Sequence, residues 1–261
     1  MGKLVLPSRS EKPRPRGLTA MIDFGPDTFG WTGEAGVRDL LECAGPYIDF
    51  AKIYALNALL LPPEPLKRIV RLYRDHDVMP YAGGILFEYA YRNNAVEELP
   101  GHLAALGIGA LEISENYVAL PETERRRQVD RFRKHRFEVI YEFGRKQPDR
   151  PFDPAELEAR VTDMREAGVK HIIVEQSEID ELAKADASAL TSLVRTNWFQ
   201  DLLIEVDPYR FPQQHAQILR ELGPETNLAN VTAGQCLRLE GLRRGIGRAV
   251  NYSILAAEAV T

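Results

Sequence analysis

Short runs of apolar residues alternate along the chain with longer stretches in which apolar residues recur every three or four positions. The short runs have the length and composition of β-strands, and the longer stretches have the period of amphipathic helices. The predicted strands lie at 18–24, 47–54, 78–83, 110–115, 138–143, 171–176, 201–206 and 226–231. The predicted helices follow them at 34–44, 64–75, 95–106, 122–135, 154–167, 186–195, 212–222 and 233–243.

Eight strands that alternate with eight helices predict an α/β fold, a single (β/α)8 TIM barrel. The alternative is a doubly wound open sheet, which normally carries a phosphate-binding glycine fingerprint after an early strand. The stretch that begins at Gly83 does not fit that fingerprint. Residues 1–16 are basic and rich in proline, and we expect an extended or mobile N-terminal tail there. The barrel domain is predicted to cover 17–261.

Composition and charge exclude several classes of protein. The net charge of the 261 residues is −5, with both signs interspersed, whereas a nucleic-acid surface needs concentrated positive charge. No run of about 18 apolar residues exists, so no membrane span is expected. The start of the chain lacks the apolar core of a signal peptide. With only two distant cysteines, Cys43 and Cys236, we expect reduced thiols and a cytoplasmic location.

Polar residues fall near the ends of several predicted strands. In strand five, Glu142 shares a side with Ile140, whereas Tyr141 and Phe143 point to the other side. The same reading gives one carboxylate from each of five strands and one lysine from strand two: Asp23, Glu112, Glu142, Glu175, Glu205 and Lys52. Active sites of such barrels lie at the carboxyl ends of the strands, so we expect these groups to converge there.

Converging carboxylates require compensation. Two like charges about 4 Å apart repel by roughly 4 kcal/mol at an effective dielectric constant of 20. Lys52 and Lys146 offer positive charge within the protein, and a hard divalent cation is the other solution. Oxygen ligands favour Mg²⁺ over Zn²⁺, and no Cys/His cluster with zinc spacing occurs.

Asp49 does not fit this pattern. Its side chain shares a side with Ala51 and Ile53, which should face the helices. Either Asp49 pairs with a buried base or its strand contains a bulge, and both alternatives remain open at this point.

An ordered set of short motifs runs along nearly the whole chain. It includes KPRPRGLTAMIDFG (12–25), YIDFAKI (47–53), YAGGILFEYAY (81–91), LGIGALEIS (106–114), VIYEFGRK (139–146) and LEGLRRGIGR (239–248). In these motifs the chain resembles the phosphosulfolactate synthase family, magnesium-dependent TIM-barrel enzymes that add sulfite to phosphoenolpyruvate. The family also includes heat-stress-associated plant relatives.

The resemblance and the strand pattern together suggest a role for each candidate residue. Lys146 matches a lysine suited to protonate the carbon next to the substrate carboxylate, and it joins Glu142 and Lys52 as the catalytic candidates. The expected substrate-binding residues are Arg145, Glu88, Ser114, Asn230 and Arg248. The expected ligands of a Mg²⁺ cofactor are Asp23, Glu112, Glu175 and Glu205.

The chain also departs from the family pattern. Phe24 replaces a lysine, Ile85 replaces a threonine, and Leu56 lies where small polar residues are usual. These changes favour a divergent lyase that works through an enolate next to a carboxylate, on an acid other than phosphoenolpyruvate. The alternatives are phosphosulfolactate synthase itself, or a non-catalytic stress-associated or partner-binding barrel whose acids form a structural ion-pair network. We expect a small carboxylic acid as substrate and a homo-oligomeric enzyme.

Overall fold

The computed structural model describes residues 4–27, 32–146, 153–185 and 191–256. Eight parallel strands form a closed barrel in sequence order, which confirms the predicted fold. The strands are β1 (Thr19–Asp23), β2 (Phe50–Ile53), β3 (Met79–Ala82), β4 (Ala110–Ile113), β5 (Glu138–Phe143), β6 (His171–Val174), β7 (Leu202–Glu205) and β8 (Leu228–Thr232). Each lies within three residues of its predicted bounds because buried strands of four to six apolar residues leave a clear pattern.

Helices surround the barrel. In the described residues they are α1 (Glu34–Ala44), α2 (Asn57–Leu60), α3 (Pro63–Asp75), α4 (Gly84–Arg92), α5 (Leu99–Ala105), α6 (Glu122–Lys134), α7 (Pro154–Glu166), α8 (Gln176–Ala185), α9 (Gln213–Leu222) and α10 (Cys236–Arg243). None of these helices combines the length and the apolar character needed to cross a membrane.

Several helices depart from the prediction. The predicted helix at 95–106 is shorter in the structure, and α4 precedes it in a stretch for which no helix was predicted. α4 forms because Leu86, Phe87 and Ala90 bury one face of it, and this packing outweighs the low helix propensity of Gly84. α8 begins immediately after β6, ten residues before the predicted helix at 186–195, of which 186–190 lie outside the described residues.

Register fixes which side chains point into the barrel. Ile22, Lys52 and Tyr81 are partners on three neighbouring strands, so their side chains share the inner side. An apolar inner cluster lies at and below this level: Leu18, Ala20, Phe50, Tyr81, Ala110, Ile140, Ile173, Leu203 and Ala229. The next inward positions toward the carboxyl ends of several strands are polar, and they form what we call the mouth.

The N-terminal residues pack against the opposite end of the barrel, which we call the floor. Residues 4–16 contain no regular secondary structure, yet Arg14 Nε lies 3.0 Å from Asp49 Oδ1. Arg9 bonds both Glu225 and Glu240. Ion pairs of Arg9 and Arg14 therefore anchor over the floor the tail that was predicted to be extended or mobile. Of the two alternatives for Asp49, the structure shows the pairing with a buried base.

Candidate active site

The end of β5 brings Glu142 and Lys146 into the mouth. Glu142 is the last inward residue of the strand and is 1% exposed. Gly144 follows with φ +110°, and a Cβ there would lie 2.5 Å from Glu178 Cγ and 2.8 Å from Glu175 Cβ. Only glycine therefore allows the chain to turn so close to β6. Beyond this turn, Lys146 Nζ contacts Glu175 Oε2 and lies 2.9 Å from Glu205 Oε1.

Three consecutive strands each supply one buried acid to the mouth: Glu142, Glu175 and Glu205. One carboxylate oxygen from each lies within 4.8 Å of the others. Within the part of the chain that the structure describes, Glu142 Oε1 and Glu205 Oε2 are buried without a hydrogen-bond donor. A shared proton or a bound cation would satisfy both atoms, because an unpaired buried oxygen is costly.

The pKa values of these acids diverge. Burial and the neighbouring Glu142 and Glu175 raise the pKa of Glu205 well above its ordinary value. Burial also works against the charge of Glu142, but Lys52 and Lys146 prevail and lower its pKa. Burial and repulsion between the acids therefore oppose the charge of Glu205, and a proton or a cation bound at the cluster would relieve this repulsion.

A second ion pair lies deeper in the mouth. Lys52 Nζ is 2.9 Å from Glu112 Oε2, and the Gly84 N–H donates to Glu112 Oε1 at 2.9 Å. Burial opposes the charge of Lys52, but Glu112 and Glu142 outweigh it and raise the pKa of the lysine. Burial raises the pKa of Glu112 to about 7, against the attraction of Lys52. We refer to Glu112, Glu142, Glu175 and Glu205 as the mouth acids.

A bulge in β8 directs Asn230 toward Lys52. The register between β1 and β8 shifts by one residue between Thr19 and Met21, and Asn230 has the left-handed φ of +60°. Asparagine tolerates this conformation better than most residues, and bulges often redirect a side chain next to an active site. Asn230 Oδ1 accepts from Lys52 Nζ at 3.3 Å. The predicted substrate-binding residue therefore also orients the lysine.

Glu88 and Ser114 meet behind the mouth. Glu88, on α4, accepts hydrogen bonds from the Ser114 hydroxyl and from the backbone N–H groups of Asn116 and Tyr117, at 2.9 and 2.8 Å for the two N–H groups. These contacts fix the loop after β4. The prediction that Glu88 and Ser114 bind substrate is not supported, because their polar atoms already serve this loop.

Asn116 is the site residue that sequence reasoning missed. Its Nδ2 donates to Glu142 Oε2 at 2.6 Å, so the loop held by Glu88 positions the acid at the end of β5. Asn116 lies in a loop, where the alternation of side chains along a strand does not predict which way a side chain points. Only its contact with Glu142 in the folded protein identifies its role.

The prediction that Asp23 binds the metal with the other acids is wrong. Asp23 is the register partner of Ile53, whose side chain packs in the core between the barrel and the helices. Asp23 instead accepts from the Tyr73 hydroxyl at 2.7 Å, from the Gly25 N–H at 2.8 Å and from the Thr32 hydroxyl. The sequence correctly predicts that Asp23 and Met21 share one side of β1. That side faces the helices and not the inside of the barrel.

The remaining candidates occupy different places. Arg145 is exposed at the rim, and its backbone N–H donates to Glu178 Oε1 at 3.3 Å. Arg248 is exposed in a short turn that follows α10. That helix returns toward the floor, where Arg243 donates to the Leu18 carbonyl. The structure therefore does not bring Arg248 to the mouth.

The donor set fits a hard divalent cation. Glu142, Glu175 and Glu205 offer only oxygen ligands, they are buried, and two of their oxygens lack a donor among the described residues. Mg²⁺ prefers such carboxylate oxygens. Glu112, which was also predicted as a ligand, lies outside this group and is paired with Lys52.

Comparison with known proteins shows the same architecture and a specific family. The chain superposes on N-acetylneuraminate lyase from Fusobacterium nucleatum with a TM-score of 0.53 at 13% identity, covering 92% of this chain and 78% of that one. It superposes on the carboxyl transferase domain of Rhizobium etli pyruvate carboxylase with a TM-score of 0.57 at 14% identity, covering 95% of this chain and 48% of that chain. These likenesses show the barrel fold alone.

Sequence similarity is more specific. The model of the (2R)-phospho-3-sulfolactate synthase (ComA) family matches residues 7–248. Phosphosulfolactate synthase from Methanothermobacter thermautotrophicus is 32% identical over 246 residues, which covers 92% of this chain and 93% of the relative. The enzyme of the same name from Bacillus subtilis is 28% identical over 251 residues, 93% of this chain and 95% of the relative. The chain therefore belongs to the phosphosulfolactate synthase family.

Proposed function

We propose that the protein is a magnesium-dependent lyase that forms or breaks a bond next to a carboxylate through an enolate, on an acid other than phosphoenolpyruvate. The observation that carries the proposal is the cluster of Glu142, Glu175 and Glu205, with two oxygens that lack donors among the described residues and Lys146 above them. Clusters of perturbed acids in a cleft are typical of functional sites.

The proposed cofactor would be held by these three carboxylates. When bound, Mg²⁺ would supply positive charge that polarises the substrate carboxylate and stabilises the enolate. Asn116 holds Glu142 in place through its 2.6 Å hydrogen bond, so one ligand is oriented before any cation arrives.

Lys146 is the proposed general acid. Burial opposes its charge, but Glu205, Glu142 and Glu175 raise its pKa above the ordinary value, so it carries its proton at neutral pH. About a third of its side chain is exposed, which leaves a route toward a ligand in the mouth. From there the ammonium group would donate a proton to the carbon next to the carboxylate.

Lys52 and Arg145 have supporting roles in this proposal. Lys52 is held by Glu112 and Asn230, and its fixed charge would stabilise negative charge that develops deep in the mouth. Arg145, exposed at the rim, would attract the anionic substrate.

Phosphosulfolactate synthase activity is the second candidate. It is favoured by the relatives that carry this name and match more than nine-tenths of the chain. A non-catalytic barrel is the third, and its supporting observation is that the mouth acids already pair with Lys52 and Lys146.

Isotope exchange tests the proposal without knowledge of the second substrate. The protein is incubated in D₂O with Mg²⁺ and either phosphosulfolactate or unphosphorylated sulfolactate, and loss of the C2 proton is followed by NMR. We expect magnesium-dependent exchange that is faster with sulfolactate. Exchange with phosphosulfolactate alone would favour the synthase. Absence of both exchange and Mg²⁺ binding would favour the non-catalytic barrel.

The matched metal test uses Glu142→Gln, with the exposed Glu122→Gln on α6 as control. We expect Mg²⁺ affinity, measured by calorimetry, to fall by at least about tenfold in the first variant only. An unchanged affinity in Glu142→Gln would contradict the assigned ligand.

A further inference from the structure

We infer that the first turn of α8 positions Lys146, and that Ser177 and Glu178 are the residues that do so. Both contact the backbone of Arg145, the residue before the lysine, and they act on the ammonium group through the chain. They are therefore positioning residues. The effect that we assign to them on chemistry rests on the proposed function, whereas their effect on the placement of the lysine does not.

Lys146 needs support from outside β5. The strand ends at Phe143, three residues before the lysine, and a lysine side chain is a flexible stem with many rotamers. About a third of this side chain is exposed, so water competes for its ammonium group. Nζ nevertheless contacts Glu175 and Glu205, which belong to the next two strands of the barrel. The backbone at 144–146 must therefore be held in one direction.

The first turn of α8 holds this backbone from two sides. The Arg145 N–H donates to Glu178 Oε1 at 3.3 Å, and the Ser177 hydroxyl donates to the Arg145 carbonyl at 2.6 Å. We call these two hydrogen bonds the clamp. Both backbone polar groups of Arg145 are thus bonded to residues that are adjacent in one helix. The clamp fixes the orientation of the backbone from which Lys146 extends toward the mouth.

The acid that the lysine contacts is fixed to the same turn. The Glu175 N–H donates to the Phe143 carbonyl at 2.9 Å, which continues the ladder between β5 and β6. α8 begins at the next residue, and the Glu178 N–H donates to the Glu175 carbonyl at 3.1 Å. Because no loop separates the strand from the helix, Glu175 and the clamp keep fixed positions relative to each other. One structural element therefore aligns the lysine with its acid partner.

Loss of the clamp should affect proton transfer more than binding. A general acid works only where its proton lies within hydrogen-bond reach of the reacting atom, so a misplaced lysine slows turnover. The cation site should remain, because Glu142 and Glu205 lie on strands and Glu175 is held by the ladder. A lower kcat with little change in KM or in Mg²⁺ affinity is therefore the expected signature.

The first test needs no substrate. The full chain is treated with limiting acetic anhydride, and the initial rate of acetylation at each lysine is followed by mass spectrometry. Exposed Lys134 on α6 is the internal reference. We expect Ser177→Ala and Glu178→Ala each to raise the rate at Lys146, relative to Lys134, by at least about threefold, because a hydrogen bond that holds its backbone is lost.

A matched control removes a similar hydrogen bond elsewhere. The Thr162 hydroxyl donates to the Glu158 carbonyl at 2.9 Å within α7, so Thr162→Ala should leave the relative rate at Lys146 unchanged. Ser177→Thr and Glu178→Gln keep a donor and an acceptor at the clamp, and both should react nearly as the unaltered protein does. Thermal unfolding confirms that each variant is folded.

The second test measures the chemistry. C2 exchange is followed with Mg²⁺ and whichever of sulfolactate and phosphosulfolactate the unaltered protein exchanges. We expect kcat to fall by about tenfold in Glu178→Ala and by about threefold in Ser177→Ala. KM, and Mg²⁺ affinity from calorimetry, should stay within about twofold of the unaltered values. Ser177→Thr and Glu178→Gln should restore most of kcat.

The two tests separate the inference from the proposed function. Unchanged acetylation of Lys146 in both alanine variants would overturn the inference, and so would a fall in Mg²⁺ affinity as large as the fall in kcat. Exchange by the unaltered protein would still support the proposed function in either case. Absence of exchange with both acids would overturn the proposed function, whereas faster acetylation in the variants would still establish the clamp.

Discussion

The mouth and the floor of the barrel are both built from buried charges, yet they balance them differently. At the mouth, four acids share two lysines, and Glu142 Oε1 and Glu205 Oε2 lack donors among the described residues. At the floor, Arg14 meets Asp49, and Arg9 meets Glu225 and Glu240. Arg243, without a direct acid partner in the described structure, donates instead to the carbonyls of Pro224, Thr226 and Leu18.

The difference separates a structural network from a functional one. Cations at the floor meet acids or carbonyls within hydrogen-bond distance, which compensates the cost of removing them from water. The surplus of acids at the mouth costs stability in the free protein, and such a surplus is typical of sites that bind a cation. Changes at the floor should therefore affect stability, and changes at the mouth should affect chemistry.

Replacing Lys146 with methionine should have the largest effect. We expect C2 exchange to fall by about a thousandfold, because the proposed proton donor is lost. The circular dichroism spectrum should remain that of the folded barrel. The exposed Lys134→Met on α6 is the control and should exchange at the rate of the unaltered protein. Full activity of Lys146→Met would remove the lysine from the mechanism.

Asp49→Asn tests the floor. It leaves the buried Arg14 guanidinium without its acid, and we expect the free energy of unfolding in denaturant to fall by about 3 kcal/mol. Exchange at C2, measured where the variant is folded, should not change. The control is Asp75→Asn, whose pair with Arg71 is exposed and should be worth less than about 1 kcal/mol. Equal effects of the two changes would show that the floor pair is not structural.

Glu205→Gln should move two measurements in opposite directions. The free protein should become more stable by about 1 kcal/mol, because repulsion from Glu142 and Glu175 is relieved. Mg²⁺ affinity should fall by about tenfold, because one ligand is lost. Calorimetry measures the second effect and thermal unfolding in chelator measures the first. A loss of stability with unchanged Mg²⁺ affinity would make the acid structural, like those of the floor.

The last prediction concerns pH and Glu112. Its pKa is raised to about 7 in the folded protein from an ordinary value of 4.5. Between these values the native state binds more protons than the unfolded state, so stability falls as pH rises. We expect a loss of about 2–3 kcal/mol between pH 5 and pH 8 in chelator.

Glu112→Gln isolates this contribution. The variant should lose the part of the pH dependence that belongs to Glu112, so its stability relative to the unaltered protein should rise toward pH 8. Unfolding in denaturant at several pH values measures the difference. Parallel pH profiles for the two proteins would show that Glu112 is ionised throughout, as in an ordinary ion pair with Lys52.

Residue patterns were sufficient for the barrel and for most of its mouth. Alternation along β5 correctly placed Glu142 with Ile140 on the inner side, because the side-chain period of a strand is fixed by its backbone. The same argument correctly separated Ala51 and Ile53, which pack between the barrel and the helices, from the inner side. Family motifs indicated Lys52 and Lys146, which both contact mouth acids in the structure.

Tertiary structure decided what alternation leaves open. The period of a strand groups its residues into two sides but does not say which side is inner. Alternation alone therefore placed Asp23 on the wrong side, and its register with Ile53 shows the correct one. The contacts of Asn116 and Asn230 depend on a loop and a bulge, where the period is broken.

The sequence alone therefore determined the architecture, the family and the end of the barrel where polar groups gather, since these follow from local periodicity and ordered motifs. Only the tertiary structure decided which acids share a site and which are paired. Distances between residues far apart in the chain depend on the closure of the barrel and on its register. That closure joins Glu142, Glu175 and Glu205 within 4.8 Å and leaves Asp23 among the helices.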